Sequence, residues 1–192
     1  SYAGNASLTG SSDTTSVTVS AAVGTESQIT THTAGAQQSP AAARLKAGYL
    51  ITWASNGQDG SGYGIYAQRY NAAGATAGAE LPVNTTTAGN QMHASITAIG
   101  NGGYVIVWSG GEEQDGSGWG VYGQRFDANG NQQWYSEYQY LRGTMGNTAI
   151  LKNDSTVVIF GNTSDVSLYK IFILKLNLNS GLAITNSIIN NY

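Results

Sequence analysis

Two loops in this chain are spelled almost identically, Gln58-Asp-Gly-Ser-Gly62 and Gln114-Asp-Gly-Ser-Gly118, and each sets a carboxylate in a glycine-rich turn beside other oxygen donors. Asp59 with Asn56 and Gln58, or Asp115 with Glu112 and Glu113, could offer oxygens to Ca2+, a hard cation that takes about six to eight of them. The same residues admit a structural role, in which each Asp accepts N–H bonds from its own turn and the glycines supply positive φ. Neither the EF-hand pattern nor the calcium-binding nonapeptide repeat occurs, so the structural role is favoured and Ca2+ is kept as an option. The turn also resembles, without matching residue by residue, the structural Asp-box loops of sialidase-type propellers. Tyr63 and Trp119 follow the two loops at the same position, and Tyr169 is their third counterpart. Aromatic faces at symmetry-related positions can stack sugars; they serve equally to pack adjacent repeats.

Catalysis has little to stand on. His32 and His93 align with Thr86 and Ser39 in the neighbouring repeats, and neither sits in a metal-binding spacing such as His-Glu-X-X-His. No Gly-X-Ser-X-Gly elbow occurs, and the absence of cysteine removes thiol nucleophiles, disulfides and thiolate metal sites. Gly118-Trp-Gly-Val-Tyr-Gly123 spells a dinucleotide fingerprint, but its glycines lead into a strand, where no helix N-terminus can receive a phosphate. A glycosidase needs two carboxylates about 5 to 10 Å apart. Asp59 and Asp115 are separated by a whole repeat, and the adjacent Glu112 and Glu113 point apart on an extended loop, so a glycoside hydrolase is the least supported reading. The expectation is a protein that is not an enzyme.

These loops belong to a longer repeated segment. Gly48-Tyr-Leu-Ile-Thr-Trp53 and Ile65-Tyr-Ala-Gln-Arg-Tyr70 return as Gly103-Tyr-Val-Ile-Val-Trp108 and Val121-Tyr-Gly-Gln-Arg-Phe126. Repeats of this length are one supersecondary unit each. Three units are expected, 26–79, 80–133 and 134–185, each of four short strands. In the second unit the strands are expected at Glu80–Thr85, Ala94–Ile99, Tyr104–Trp108 and Val121–Phe126, with Asn101-Gly102 as a hairpin turn. The first unit matches through Gln28–His32, Ala41–Leu45, Tyr49–Trp53 and Ile65–Tyr70. In the third, Thr156–Phe160 takes the place of Tyr104–Trp108, while Asp165, Tyr169, Phe172 and Lys175 follow Asp115, Trp119, Tyr122 and Arg125 at a constant offset. Its loop has Val166-Ser-Leu168 where the others have glycines, so the Asp and the aromatics read as a packing frame.

Alternation places Tyr66, Gln68 and Tyr70 on one face, as it does Tyr122, Gln124 and Phe126, and Phe172, Leu174 and Leu176; that face is expected to be buried. No stretch keeps helical spacing with caps. The fold class is all-β, with propeller-like blades, or a β-trefoil as the alternative closure. Residues 1–25 contain no Lys or Arg, and Ser16-Val-Thr-Val-Ser20 alternates as a half-buried strand would, so this segment reads as an extended assembly arm.

Composition narrows the partners. Among 192 residues only 8 are Lys or Arg and the net charge is −3, without a basic cluster, so the electrostatic term behind nucleic-acid binding is missing. No apolar run approaches the roughly 20 residues of a membrane-spanning helix, and membrane insertion is not expected. The chain starts at Ser1 with no Met and no positively charged leader, which is compatible with a cleaved signal peptide. Scarce charge and four Asn-X-Ser/Thr sequons, at Asn5, Asn84, Asn153 and Asn162, lean towards an extracellular protein that could carry N-glycans.

The stretch Gly48–Gly130 resembles the tandem β repeats of very large secreted bacterial surface proteins of adhesin type, in which a Tyr/Val-rich strand ending in Trp leads to Gln-Asp-Gly-Ser-Gly-Tyr/Trp-Gly and then Ile/Val-Tyr-Ala/Gly-Gln-Arg-Tyr/Phe. The resemblance implies propeller-like sheets, exposure at the cell surface, adhesion and an association with calcium-binding repeats. The third unit and residues 1–25 depart from that pattern. The expected function is therefore a non-enzymatic structural or adhesive surface protein that self-assembles through its β edges, as a homo-oligomer or filament. A carbohydrate-binding module working through Tyr63, Trp119 and Tyr169 is the alternative.

Overall fold

The computed structural model of the chain describes residues 27–111, 118–138, 144–165 and 168–189, and among these residues every regular element is a strand. The first sheet holds β1 (Gln37–Leu45), β2 (Gly48–Asn56), β3 (Tyr63–Asn71) and the short β4 (Leu81–Pro82). The second holds β5 (Gln91–Ala98), β6 (Tyr104–Gly110), β7 (Gly120–Phe126) and β8 (Gln132–Tyr138). The third holds β9 (Thr144–Asn153), β10 (Thr156–Asp165), β11 (Leu168–Asn177) and β12 (Ala183–Ile189). Each sheet is an antiparallel meander in chain order, and hydrogen-bonded ladders stay within a sheet. The all-β reading with four-stranded repeats stands, in its blade-like form.

The phase of the repeat differs from expectation. Glu80–Thr85, expected to open the second unit, instead gives Leu81 and Pro82 to the outer edge of the first sheet, opposite Ala67 and Tyr66. Likewise β8, which contains Glu137, closes the second sheet by pairing with β7. Each of these sheets thus takes its outer strand from the start of the following repeat, and the sheets span 37–82, 91–138 and 144–189. Gln28–His32, the counterpart of β4, is not a strand, because among the described residues no third strand precedes it to supply a ladder. The third unit also sits one residue from its expected register: Val157 lies opposite Leu176, as Tyr104 lies opposite Phe126, so Val157–Gly161 stands where Tyr104–Trp108 does. The expected strand at Ser16–Ser20 lies outside the described residues.

The sheets stack in chain order with the second in the middle. One face of it, Tyr104, Ile106, Trp108, Tyr122 and Phe126, shares a core with Leu50, Ala54, Ile65, Ala67 and Val83 of the first sheet. Its other face, Val105, Val107 and Val121, shares a core with Val157, Ile159, Phe172, Leu174 and Leu176 of the third. Both faces being covered, β6 is buried along its whole length, which is why its sequence reads as continuously apolar where a half-buried strand would alternate. The inner strands carry matching irregularities. Ser39 in β1 and His93 in β5 both have positive φ, 53° and 56°, where the ladder slips opposite Trp53 and Trp108, and β9 slips at the same place. These are β-bulges that bend the inner strands.

Candidate functional site

The first loop folds as a self-bonded turn. Asp59 Oδ1 accepts the N–H of Ser61 at 3.1 Å, and Gly57 and Gly60 take φ of 75° and 89°, values that favour glycine. The loop then hooks onto the approach to β5: Tyr63 N–H donates to Asn90 Oδ1 at 3.1 Å, and Gly89 N–H donates to Ser61 Oγ at 3.2 Å. Gly62 is required by contact, since a Cβ there would lie 2.4 Å from Asn90 Oδ1. Three residues of the repeated motif, Ser61, Gly62 and Tyr63, are thereby used to join one sheet to the next.

Asp59 Oδ2 is shielded from solvent without a hydrogen-bond partner, next to Gly64 and the Tyr66 ring. On the same side Glu80 holds Thr31 through its N–H and hydroxyl, each at 2.9 Å, and accepts a bond from Gln58 Nε2. Burial, then the charge of Asp59, then that of Glu80 raise the Tyr66 hydroxyl above its ordinary pKa. Thr31, Gln58, Tyr66, Gln68, Thr76 and Glu80 border a cleft of about 550 Å3. Glu80 is committed to three protein donors, and among the described residues no three His, Asp or Glu gather into a set that would hold a metal ion. Glu112, Glu113 and Asp115 lie outside the described residues.

Tyr63 packs half-buried against the core between the first two sheets, and Trp119 is half-buried with its ring tilted against His93, centroids 6.2 Å apart. Neither borders the 550 Å3 cleft nor a second of about 470 Å3 around Lys46, Arg69 and Asn101. Tyr169 lies in β11. Of the sequons, Asn84 is 8% exposed with its amide committed, Oδ1 accepting from Ile65 N–H and Nδ2 donating to Thr86 and Gln91. In the folded chain both ends of its amide thus serve the packing between β3 and the approach to β5. Asn153 and Asn162 are exposed on the third sheet, and Asn5 lies outside the described residues.

A second recurring device joins consecutive sheets. Arg69 Nη1 donates to the carbonyl of Ala128 at 3.1 Å, in the β7–β8 turn of the next sheet. Arg125, at the equivalent place, donates to the carbonyl of Leu178 at 3.1 Å and to Asn179 Oδ1 at 3.4 Å, in the β11–β12 turn. The Arg of the Gln-Arg pair is therefore a latch between consecutive sheets. The two acceptor turns and the corresponding turn of the first sheet are built alike. Asn71, Asp127 and Asn177 each accept backbone N–H bonds through Oδ1 from residues two to four positions on, and Gly74, Gly130 and Gly181 each take positive φ. Bonds from the Asn131 side chain and from nearby N–H groups hold the Asp127 carboxyl below the ordinary aspartate range. The visible signal was an Asn or Asp just after the fourth motif strand of each unit, followed closely by Gly.

No protein-family model matches the chain, and no curated protein matches it.

Proposed function

We propose that this is a non-enzymatic structural repeat protein of the extracellular or cell-surface kind, adhesive in role and assembling with copies of itself. The observation that carries the reading is where the repeated residues go. Ser61, Gly62, Tyr63, Arg69 and Arg125 are spent on joining sheets, so the repeated motif supports an extendable stack. Scarce charge favours contact between copies, since few like charges are present to repel. Residues 1–25 offer one route, adding as a strand to a neighbour's edge. Light scattering and electron microscopy of the full chain and of a chain lacking residues 1–25 test this: assemblies that shrink on deletion support it, and monomers in both abandon it.

A carbohydrate-binding role is the second reading. Tyr66, Gln58, Gln68 and Thr31 around the 550 Å3 cleft supply an aromatic edge with amide and hydroxyl groups, chemistry suited to a sugar. A glycan array probed with the wild type and with the Tyr63→Ala/Trp119→Ala variant decides it. Binding lost in the variant places the sugar on the loop aromatics, binding kept by both points to the cleft, and no binding by either ends the idea. Ca2+ is tested by thermal melting with the ion and with chelator, a shift being required of any structural metal.

A further inference from the structure

We propose that the outward face of the third sheet is an interface that seats the first sheet of a second copy, head to tail, with Lys175 as its latch. This rests on the assembly reading above and deepens it by naming the surface. The third sheet has one face in the second core, and the other carries Ile150, Phe160, Ile171, Ile173 and Lys175. Ile150 and Ile171 are 46% and 45% exposed, and Phe160 and Ile173 on the same face are half-buried.

What it would hold is set by the two interfaces the chain already contains. In both, the preceding sheet sends a cation from its third strand to the turn of the following sheet: Arg69 to Ala128, Arg125 to Leu178. Lys175 occupies that place in the third sheet, opposite Val158 as Arg125 is opposite Val105, and among the described residues it has no such acceptor. The matching acceptor stands at the other end of the molecule. Asn71 builds the same turn in the first sheet, and Ala72 holds the position of Ala128, exposed and with no sheet before it among the described residues.

The apolar parts complement in the same way. Ala94 and Ile96 of β5 pack into the core shared with the first sheet; their counterparts in β1, Pro40 and Ala42, are exposed. Tyr49 and Tyr70 stack with centroids 5.0 Å apart, as do Tyr104 and Phe126, but the first pair is half-exposed where the second is buried. On the first sheet the open part of this face is Pro40, Ala42, Tyr49 and Tyr70, while Trp53, Tyr66 and Gln68 beside them are already buried, so the second copy would meet the end of the face that carries Ala42 and the Asn71 turn. The β9 edge of the third sheet is already engaged, because the N–H groups of Ala149 and Leu151 are capped by Ser95 Oγ and Thr97 Oγ1 at 3.0 and 3.1 Å. A contact between unlike faces joins copies head to tail, giving a ring where the rotation from copy to copy closes and a filament where it does not.

Sedimentation velocity over a concentration series tests this on the full chain, with Ile171→Lys blocking one face and Ala42→Lys the other, both at exposed positions, and with thermal melting to show each variant folded. The wild type should associate with rising concentration, either into a ring of fixed copy number or into a filament that keeps growing, and both support the interface. Each variant alone should need a concentration roughly tenfold higher or more to associate, while an equimolar mixture of the two should stop at dimers, because each retains the face the other lacks. Lys175→Glu should weaken growth and Lys175→Arg should preserve it. A wild type that stays monomeric overturns both this interface and the assembly reading. Assemblies indifferent to both face variants but lost on removing residues 1–25 overturn the interface alone. Sensitivity to Ile171→Lys without sensitivity to Ala42→Lys also overturns it, since the third sheet would then be meeting itself.

Discussion

Arg125 and Gly181 act on the same turn from opposite sides. The guanidinium draws in the carbonyl of Leu178, while Gly181, at φ of 70°, lies against the Trp134 ring, where a Cβ would come within 2.8 Å. Gly181→Ala should therefore combine a left-handed backbone penalty with overpacking and cost about 2–4 kcal/mol in urea unfolding. Arg125→Ala removes a charge-assisted bond at a half-buried position and should cost less, about 1–2 kcal/mol after allowing for solvent screening. Asp127 adds a pH dependence whose sign is fixed. Its carboxyl is held below the ordinary range by donors that favour the charged form, so the stabilisation is complete above about pH 4 and fades as pH falls through the lowered folded-state value. Asp127→Asn, which copies the Asn of the other two turns, should flatten that acid limb in melting temperature against pH; an unchanged limb would show that the carboxylate contributes nothing there.

At the scale of elements, the inner strands are bent by bulges in which Ser39 and His93 adopt positive φ without being glycine. Ser39→Gly should raise stability by roughly 0.5–1 kcal/mol, because relief of the left-handed strain outweighs the added freedom of the unfolded chain. Denaturant midpoints check it, and a destabilised variant would mean that the Ser39 side chain contributes packing. The four-strand repeat was legible because the apolar alternation of Tyr66, Gln68 and Tyr70 and the turn at Asn101-Gly102 are local signals. Phase was not legible. Leu81 and Pro82 carry no mark of whether they pair forwards or backwards, and that choice is made by contact with β3. The latch was hidden for the same reason: Arg69 and Arg125 find their acceptors in the following repeat, so periodicity within one unit is silent about them. The loop carboxylates admit both a metal and a structural role in the sequence because composition shows oxygen donors and not their partners; once placed, Asp59 Oδ1 accepts the Ser61 N–H and Gln58 is bonded to Glu80.

Among the described residues the molecule is a short stack in which only the middle sheet has two partners. Val105 and Val107 face one neighbour while Tyr104, Ile106 and Trp108 face the other, so β6 couples two cores that share no residue. In a stack held by nearest-neighbour interfaces, damage at the centre is felt on both sides and damage at an end on one. Trp108→Ala should cost about 3–5 kcal/mol and lower the melting temperature of the whole chain, whereas Ile171→Lys on the open face should leave that temperature nearly unchanged. Native-state hydrogen exchange should place the slowest amides in β6 and β7, with β1 and β12 opening first. Because the first and second sheets take their outer strands from the beginning of the next repeat, opening one of them also pulls on the linker into its neighbour. Exchange should accordingly rise together across the first and second sheets in Trp108→Ala; if the first sheet kept its wild-type protection in that variant, the sheets would be independent units and the stacked core between them would not be what stabilises the fold.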